Sequence, residues 1–225
     1  MIDPEKVTNF NQTNKQLEEF ILFWVCAAGK NGRTAARCLD GLLNDIGGHD
    51  IGPFNAIKIW GYYEHPETLE GWPEMLRDNG IGCYNSKAKT MFQLAMSGLN
   101  LRTCTPSDLE SIYGIGAKTA RCYILHSRKD VRAAGLDTHM LKHLKSLGYD
   151  VPKSTPTGKK YLELEEIVLA LADEAKMTPQ SYDLWIWNQY SVKSTPKPSS
   201  SSGRAEHSKR SRRGFDSLLG FQGEL

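Results

Sequence analysis

The segment Leu109–Ile124, LESIYGIGAKTARCYI, holds the residues whose order points most directly to chemistry. A helical pattern ends near Ile112, Gly114-Ile115-Gly116 makes a tight turn, and a second helix opens at about Ala117. Two glycines flanking one apolar residue allow backbone torsions that other residues resist. Ile115 is placed to plug back between the two helices and set their angle. The free N–H groups at the second helix start then face outward at the positive end of the dipole, an arrangement that holds a phosphate. Lys118 and Thr119 stand in the first turn of that helix. Nineteen residues beyond Lys118, in AAGLDTHMLKHL, Asp137 opens a further helix just after a glycine-containing loop. Asp is a favoured N-cap, and a capping carboxylate is also a rigidly positioned one. An amine must be uncharged to attack carbon, and an ordinary lysine at neutral pH is charged. The first turn of a helix, with partial burial, favours the uncharged form.

Other chemistries find less support. His139 and His143 lie one helical turn apart, a spacing that can bind metal, but neither a helical Glu nor a third ligand accompanies them. They are read as packed or surface histidines. The five cysteines, at positions 26, 38, 83, 104 and 122, form no CxxC pair. A zinc knuckle or compact iron–sulfur loop is therefore not expected, and the cysteines are read as small buried groups in a reducing compartment.

The elements that must position these residues are helical nearly throughout. Apolar positions recur at helical spacing over 14–29, with Gly29 placed to stop the helix, and again from Thr34 to Leu43. The glycine-rich stretch Asp45–Gly52 is expected as a loop. Further helices are expected over Pro53–Tyr63, Pro66–Asp78, Asn85–Ser97, Pro106–Ile112, Ala117–Ser127, Thr138–Leu147, Lys160–Lys176 and Pro179–Tyr190. Prolines 53, 66 and 106 sit near helix starts, where a missing N–H costs least. With 225 residues, 40% of them hydrophobic, the chain can bury one sizeable core or two smaller lobes. No run of eighteen apolar residues occurs, and the start MIDPEKVTNFNQTNK lacks the features of a secretion signal, so an intracellular protein is expected.

Net charge is +2, but it is unevenly spread. Residues 83–145 carry ten basic and four acidic residues, the stretch best suited to a polyanion. After Tyr190 the chain turns basic and low in complexity, with seven Lys/Arg against three Asp/Glu over 191–225. Residues 191–213 are expected to be a disordered linker, and 214–225, GFDSLLGFQGEL, regain apolar character as a short docking peptide.

IYGIGAKTAR resembles the LPGVGxKTA hairpin of the helix-hairpin-helix DNA glycosylase superfamily, which includes endonuclease III and 8-oxoguanine glycosylase. AAGLDTHMLKHL resembles that superfamily's catalytic loop and following helix, and GCYNSKAKTMFQLA resembles its LYNSKA helix. The three matches fall in the superfamily's order across residues 80–147. Ile112-Tyr113 stands where Leu-Pro is usual, the loop before Asp137 lacks proline, and the C-terminal four-cysteine cluster of many relatives is absent.

The resemblance implies an all-α, two-lobed fold over 1–190, with a cleft between lobes that the hairpin (109–124) and catalytic loop (132–140) face. It implies a DNA glycosylase with AP-lyase activity in base excision repair, with Lys118 as the attacking amine and Asp137 as its carboxylate partner. Tyr113, Gly114, Ile115, Gly116, Thr119 and Lys87 are expected on the DNA backbone. Flipping a base from the stack needs a pocket, for which Trp24, Trp60, Trp185 and Trp187 are candidates, with Asn31 filling the gap in the duplex. An oxidised base, 8-oxoguanine or an oxidised pyrimidine, is the expected target. No cofactor, no iron–sulfur cluster and a monomer on double-stranded DNA are expected, with FDSLLGF resembling peptides that dock on replication sliding clamps. Two alternatives fit the same scaffold: a virus-type relative acting on modified thymine during DNA hypermodification, and a non-enzymatic hairpin module that only holds DNA, in which Lys118 and Asp137 are dispensable.

Overall fold

The computed structural model describes residues 1–63 and 71–191, and among them eleven α-helices and no strand. They are α1 (Asn14–Ala27), α2 (Gly32–Asp45), α3 (Gly48–Ile51), α4 (Pro53–Tyr63), α5 (Trp72–Asp78), α6 (Tyr84–Met96), α7 (Pro106–Glu110), α8 (Ala117–Ser127), α9 (Thr138–Ser146), α10 (Gly158–Glu174) and α11 (Pro179–Ser191). Their starts follow local capping chemistry. Thr13 and Gln16 form a reciprocal capping box on α1, and Thr105 with Asp108 does the same on α7, where Pro106 fills the first helical position. The Asn31 side chain caps α2 by accepting from the amides of Arg33 and Thr34. None of the described helices is long and apolar enough to cross a membrane.

Two expectations change. The stretch Asp45–Gly52 is not all loop: Gly47 at φ 69° and Gly52 at φ 96° bracket the single-turn helix α3. Four residues are too few to display a 3.6-residue period, so apolar spacing carried no sign of it. The helix expected from Pro66 has its described start at Trp72, after Gly71 at φ 87°. Residues 66–70 lie outside the described ones, as do the tail and its docking peptide.

The apolar interior divides in two. A larger core runs from Val7 to Ile124 and gathers residues of α1, α2, α4, α5, α6, α7 and α8, with Phe20, Ile21, Leu42, Ile57, Met91 and Tyr123 all but inaccessible. A smaller core draws on α9, α10 and α11, including Leu136, Met140, Leu144, Tyr161 and Ile186. Helix α8 belongs to both: Ala120, Tyr123 and Ile124 sit in the larger core while Ala117 packs against the smaller. Lys118 therefore stands where the two lobes join.

Candidate active site

The α7–α8 connection has the hairpin geometry that its glycines imply. Gly114 adopts φ +80°, and a Cβ there would lie 2.4 Å from Thr90 Oγ1, so both torsion and space require glycine. Ile115 is buried in the larger core, and its N–H donates to Ile112 O at 3.1 Å. Gly116 is the N-cap of α8 and supplies no side-chain cap. The Ala120 N–H donates to Gly116 O at 3.1 Å, which leaves the amides of Ala117, Lys118 and Thr119 at an uncapped helix start. The Tyr113 ring is exposed, with the Lys89 ammonium 4.5 Å from its centroid, and the Tyr113 N–H donates to Gln93 Oε1 at 2.9 Å.

Two residues expected on the backbone of DNA are placed otherwise. Lys87 is buried, and its ammonium donates to the carbonyls of Cys26 (2.9 Å) and Ala28 (3.0 Å). It satisfies the open C-terminal end of α1, and burial lowers its pKa. Thr119 is likewise buried.

Lys118 and Asp137 both act on the charge of Cys122, and the Lys118 charge acts on the Asp137 carboxyl. The Lys118 ammonium lies 5.0 Å from the centre of the Trp24 ring. Asp137 is the N-cap of α9, its Oδ1 accepting from the amides of His139 and Met140, each at 2.8 Å. Desolvation raises the Asp137 pKa above the ordinary carboxylate range; the Met140 amide opposes this, Asp183 adds to it, and Lys118 and His139 act against it. Cys122, one turn beyond Lys118, is pushed up to about 12 by burial, with Lys118, Asp183 and Asp137 acting on it in turn. Gly135 closes the arrangement: a Cβ there would lie 2.3 Å from Cys122 Sγ and 3.8 Å from Asp183 Oδ1. Residues from α8, the loop before α9, and α11 thus meet at one place.

Trp24 belongs to that place. Its ring stacks on His126 (5.8 Å between centroids, 16° between planes), and its indole N–H is buried without a partner among the described residues. His126 is fully buried; Nδ1 contacts Thr8 Oγ1 at 2.8 Å and Nε2 contacts Asp183 Oδ2 at 3.1 Å. His126, Asp183 and Cys122 were not singled out in the sequence. Only Cys122 carried a signal, its one-turn spacing from Lys118.

The other aromatic candidates sit on α4 and α11, with Trp187 one turn from Asp183. Trp185 is half-exposed and packs edge-on against His143 at 5.9 Å. His143 pairs through Nε2 with the Tyr182 hydroxyl at 2.9 Å, so this member of the i, i+4 histidine pair is used for packing. Trp187 is partly buried on α11, and Trp60 is partly buried against the larger core. Asn31 is exposed, with its side-chain oxygen committed to the α2 cap. No group of three metal-ligating side chains occurs among the described residues.

No family model matches the chain. An 8-oxoguanine DNA glycosylase/AP lyase of Methanocaldococcus jannaschii is 29% identical over 132 residues, covering 54% of this chain. The chain matches 61% of that relative's length. Among solved structures, the 8-oxoguanine DNA glycosylase of Thermotoga maritima superposes with a TM-score of 0.61 at 23% identity, covering 84% of this chain and 87% of that one. The M. jannaschii 8-oxoguanine glycosylase/lyase, in complex with a 15mer DNA containing 8-oxoguanine, gives 0.59 at 21% identity, covering 83% and 86%. The chain therefore has the helix-hairpin-helix glycosylase fold. Within that class, its relatives and structural neighbours are 8-oxoguanine DNA glycosylases.

Proposed function

We propose that this chain is a DNA glycosylase with AP-lyase activity that removes 8-oxoguanine from duplex DNA. The observation that carries the proposal is the convergence of Lys118 and Asp137 on one site, beside an uncapped helix start that suits a phosphate. The relative's name and the DNA bound to a structural neighbour support it.

The chemistry follows from the groups present. A neutral Lys118 amine bonds to C1′ of a flipped nucleotide as the C1′–N bond breaks; the departing base keeps the electron pair and takes up a proton. Asp137 stabilises the positive charge that builds on the sugar. Opening of the sugar gives an iminium joining Lys118 to C1′. Loss of a C2′ proton then expels the 3′ phosphate and cleaves the strand. No step calls on a metal or an iron–sulfur cluster.

The test is a set of duplexes, each with one defined lesion, incubated with the protein and borohydride. Release of free 8-oxoguanine and a covalent protein–DNA adduct are expected. Binding of duplex without base release or adduct on any lesion would overturn the enzymatic reading and leave a hairpin that only holds DNA.

The basic residues of 191–213 add salt-sensitive attraction to DNA, and FDSLLGF within 214–225 docks on a replication sliding clamp. A peptide of residues 214–225 is expected to bind a purified clamp, and a peptide with Leu218, Leu219 and Phe221 changed to alanine is expected not to. Equal behaviour of the two peptides would remove the clamp from the proposal.

A further inference from the structure

The loop that ends at Asp137 has no regular structure of its own, and its backbone is held by buried side chains from another helix. Tyr161 of α10 is 1% exposed; its hydroxyl accepts the Leu136 N–H at 3.1 Å and donates to Ala134 O at 2.8 Å. Glu165, one turn further along α10, accepts the Ala134 N–H through Oε1 at 2.9 Å. The same carboxylate accepts from Arg121 Nε at 3.0 and 2.9 Å. Arg121 belongs to α8, three residues after Lys118, and its guanidinium lies 4.6 Å from the centre of the Tyr161 ring. Its Nη1 also donates to Glu110 Oε1 at 2.6 Å, at the end of α7.

A pair this buried, with Arg121 and Glu165 side chains at 11% and 10% exposure, is a poor device for stability alone. Desolvating both charges offsets most of their attraction, and apolar residues of like volume commonly serve as well. What such a pair does supply is fixed geometry through several directed hydrogen bonds. Here those bonds link the helix carrying Lys118 to the loop carrying Asp137 through α10, with one further bond to Glu110 at the end of α7.

We infer that Arg121, Glu165 and Tyr161 form a brace that holds Asp137 at a set position relative to Lys118, and are positioning residues for the proposed reaction. The inference rests on that reaction for its kinetic consequence. Misplacing a reacting group by about 1 Å costs on the order of 100-fold in rate. Burial pushes the Tyr161 hydroxyl well above its ordinary range, so it remains a donor at neutral pH.

The test compares Tyr161→Phe with Tyr182→Phe. The second removes a hydroxyl from the same core but from the His143 contact, away from the loop. In Tyr161→Phe, single-turnover release of the base is expected to fall about 10- to 100-fold, with duplex affinity within about twofold of the wild type. The acid limb of the rate is expected to move to lower pH, because a loosened loop hydrates Asp137. The charged groups acting on that carboxylate, Asp183 from α11, Lys118 from α8 and His139 from α9, are unchanged in the variant. Amide exchange at Ala134 and Leu136 is expected to accelerate. Tyr182→Phe is expected to move neither the acid limb nor those amides. Faster exchange with unaltered excision, or equal effects of the two variants, would overturn the positioning role. Unaltered exchange in Tyr161→Phe would overturn the brace itself. A wild type that releases no base and forms no adduct defeats the proposed function instead, and the brace is then judged by exchange alone.

Discussion

Replacing Lys118 with glutamine is expected to abolish the borohydride-trapped adduct and strand cleavage at preformed abasic sites, a loss of at least about 10³-fold in the proposed lyase rate. Glutamine keeps a polar side chain one atom shorter but has no amine to form the iminium. Duplex affinity stays within about threefold, because a phosphate at the start of α8 is held by backbone amides that the substitution leaves in place. The structure also bounds the effect on stability. Lys118 is partly exposed, and its described contact is with the face of Trp24 at 5.0 Å. A cation over an aromatic ring contributes on the order of 1 kcal/mol, which a domain of this size survives. Melting temperature, duplex affinity and adduct yield measured on one preparation separate chemistry from folding. An adduct of wild-type yield in the variant would move the nucleophile to another amine.

The residues carrying this argument were legible in the sequence to different degrees, for physical reasons. Lys118 and Asp137 stood out because short-range rules mark them. A Gly-Ile-Gly turn fixes where α8 begins, and a carboxylate ahead of an apolar pattern fixes where α9 begins. Helices α4 and α8 likewise occupy the expected Pro53–Tyr63 and Ala117–Ser127, since proline, glycine and apolar spacing act locally. The resemblance supplied the rest of the pairing. Lys87 went astray because a charged residue in a basic stretch says nothing of its exposure. Its stem crosses the larger core to reach two carbonyls 61 and 59 residues away in the chain. His126 and Asp183 were invisible for the same reason: their pairing spans 57 residues, and neither has a distinctive neighbour in the chain. Arg121, Glu165 and Tyr161 read as ordinary residues of amphipathic helices. Only tertiary packing shows Tyr161 and Glu165 bonded to the loop before Asp137, with Arg121 bonded to Glu165.

Asp137→Asn is expected to lower base release on the order of 10³-fold while making the protein more stable at neutral pH. Asparagine is as good an N-cap as aspartate, so an oxygen still accepts the amides of His139 and Met140. What disappears is a charge. The rise in the Asp137 pKa means that desolvation and the like charge of Asp183 together outweigh the Met140 amide, Lys118 and His139. A carboxylate whose pKa is raised by folding opposes folding when ionised. Its cost is absent below the unfolded value of about 4, grows as pH rises toward the folded pKa, and is constant above it. The melting temperature of Asp137→Asn should therefore exceed that of the wild type at pH 7 and converge with it in acid. The same ionisation limits the chemistry, because only the charged form stabilises positive charge on the sugar. The acid limb of wild-type base release is expected above the ordinary carboxylate range, and Asp183→Asn should move it to lower pH by removing the repulsion. A wild-type acid limb at or below pH 4, or a variant less stable at every pH, would mean that the half-buried carboxylate is not the strained, reactive group that this site requires.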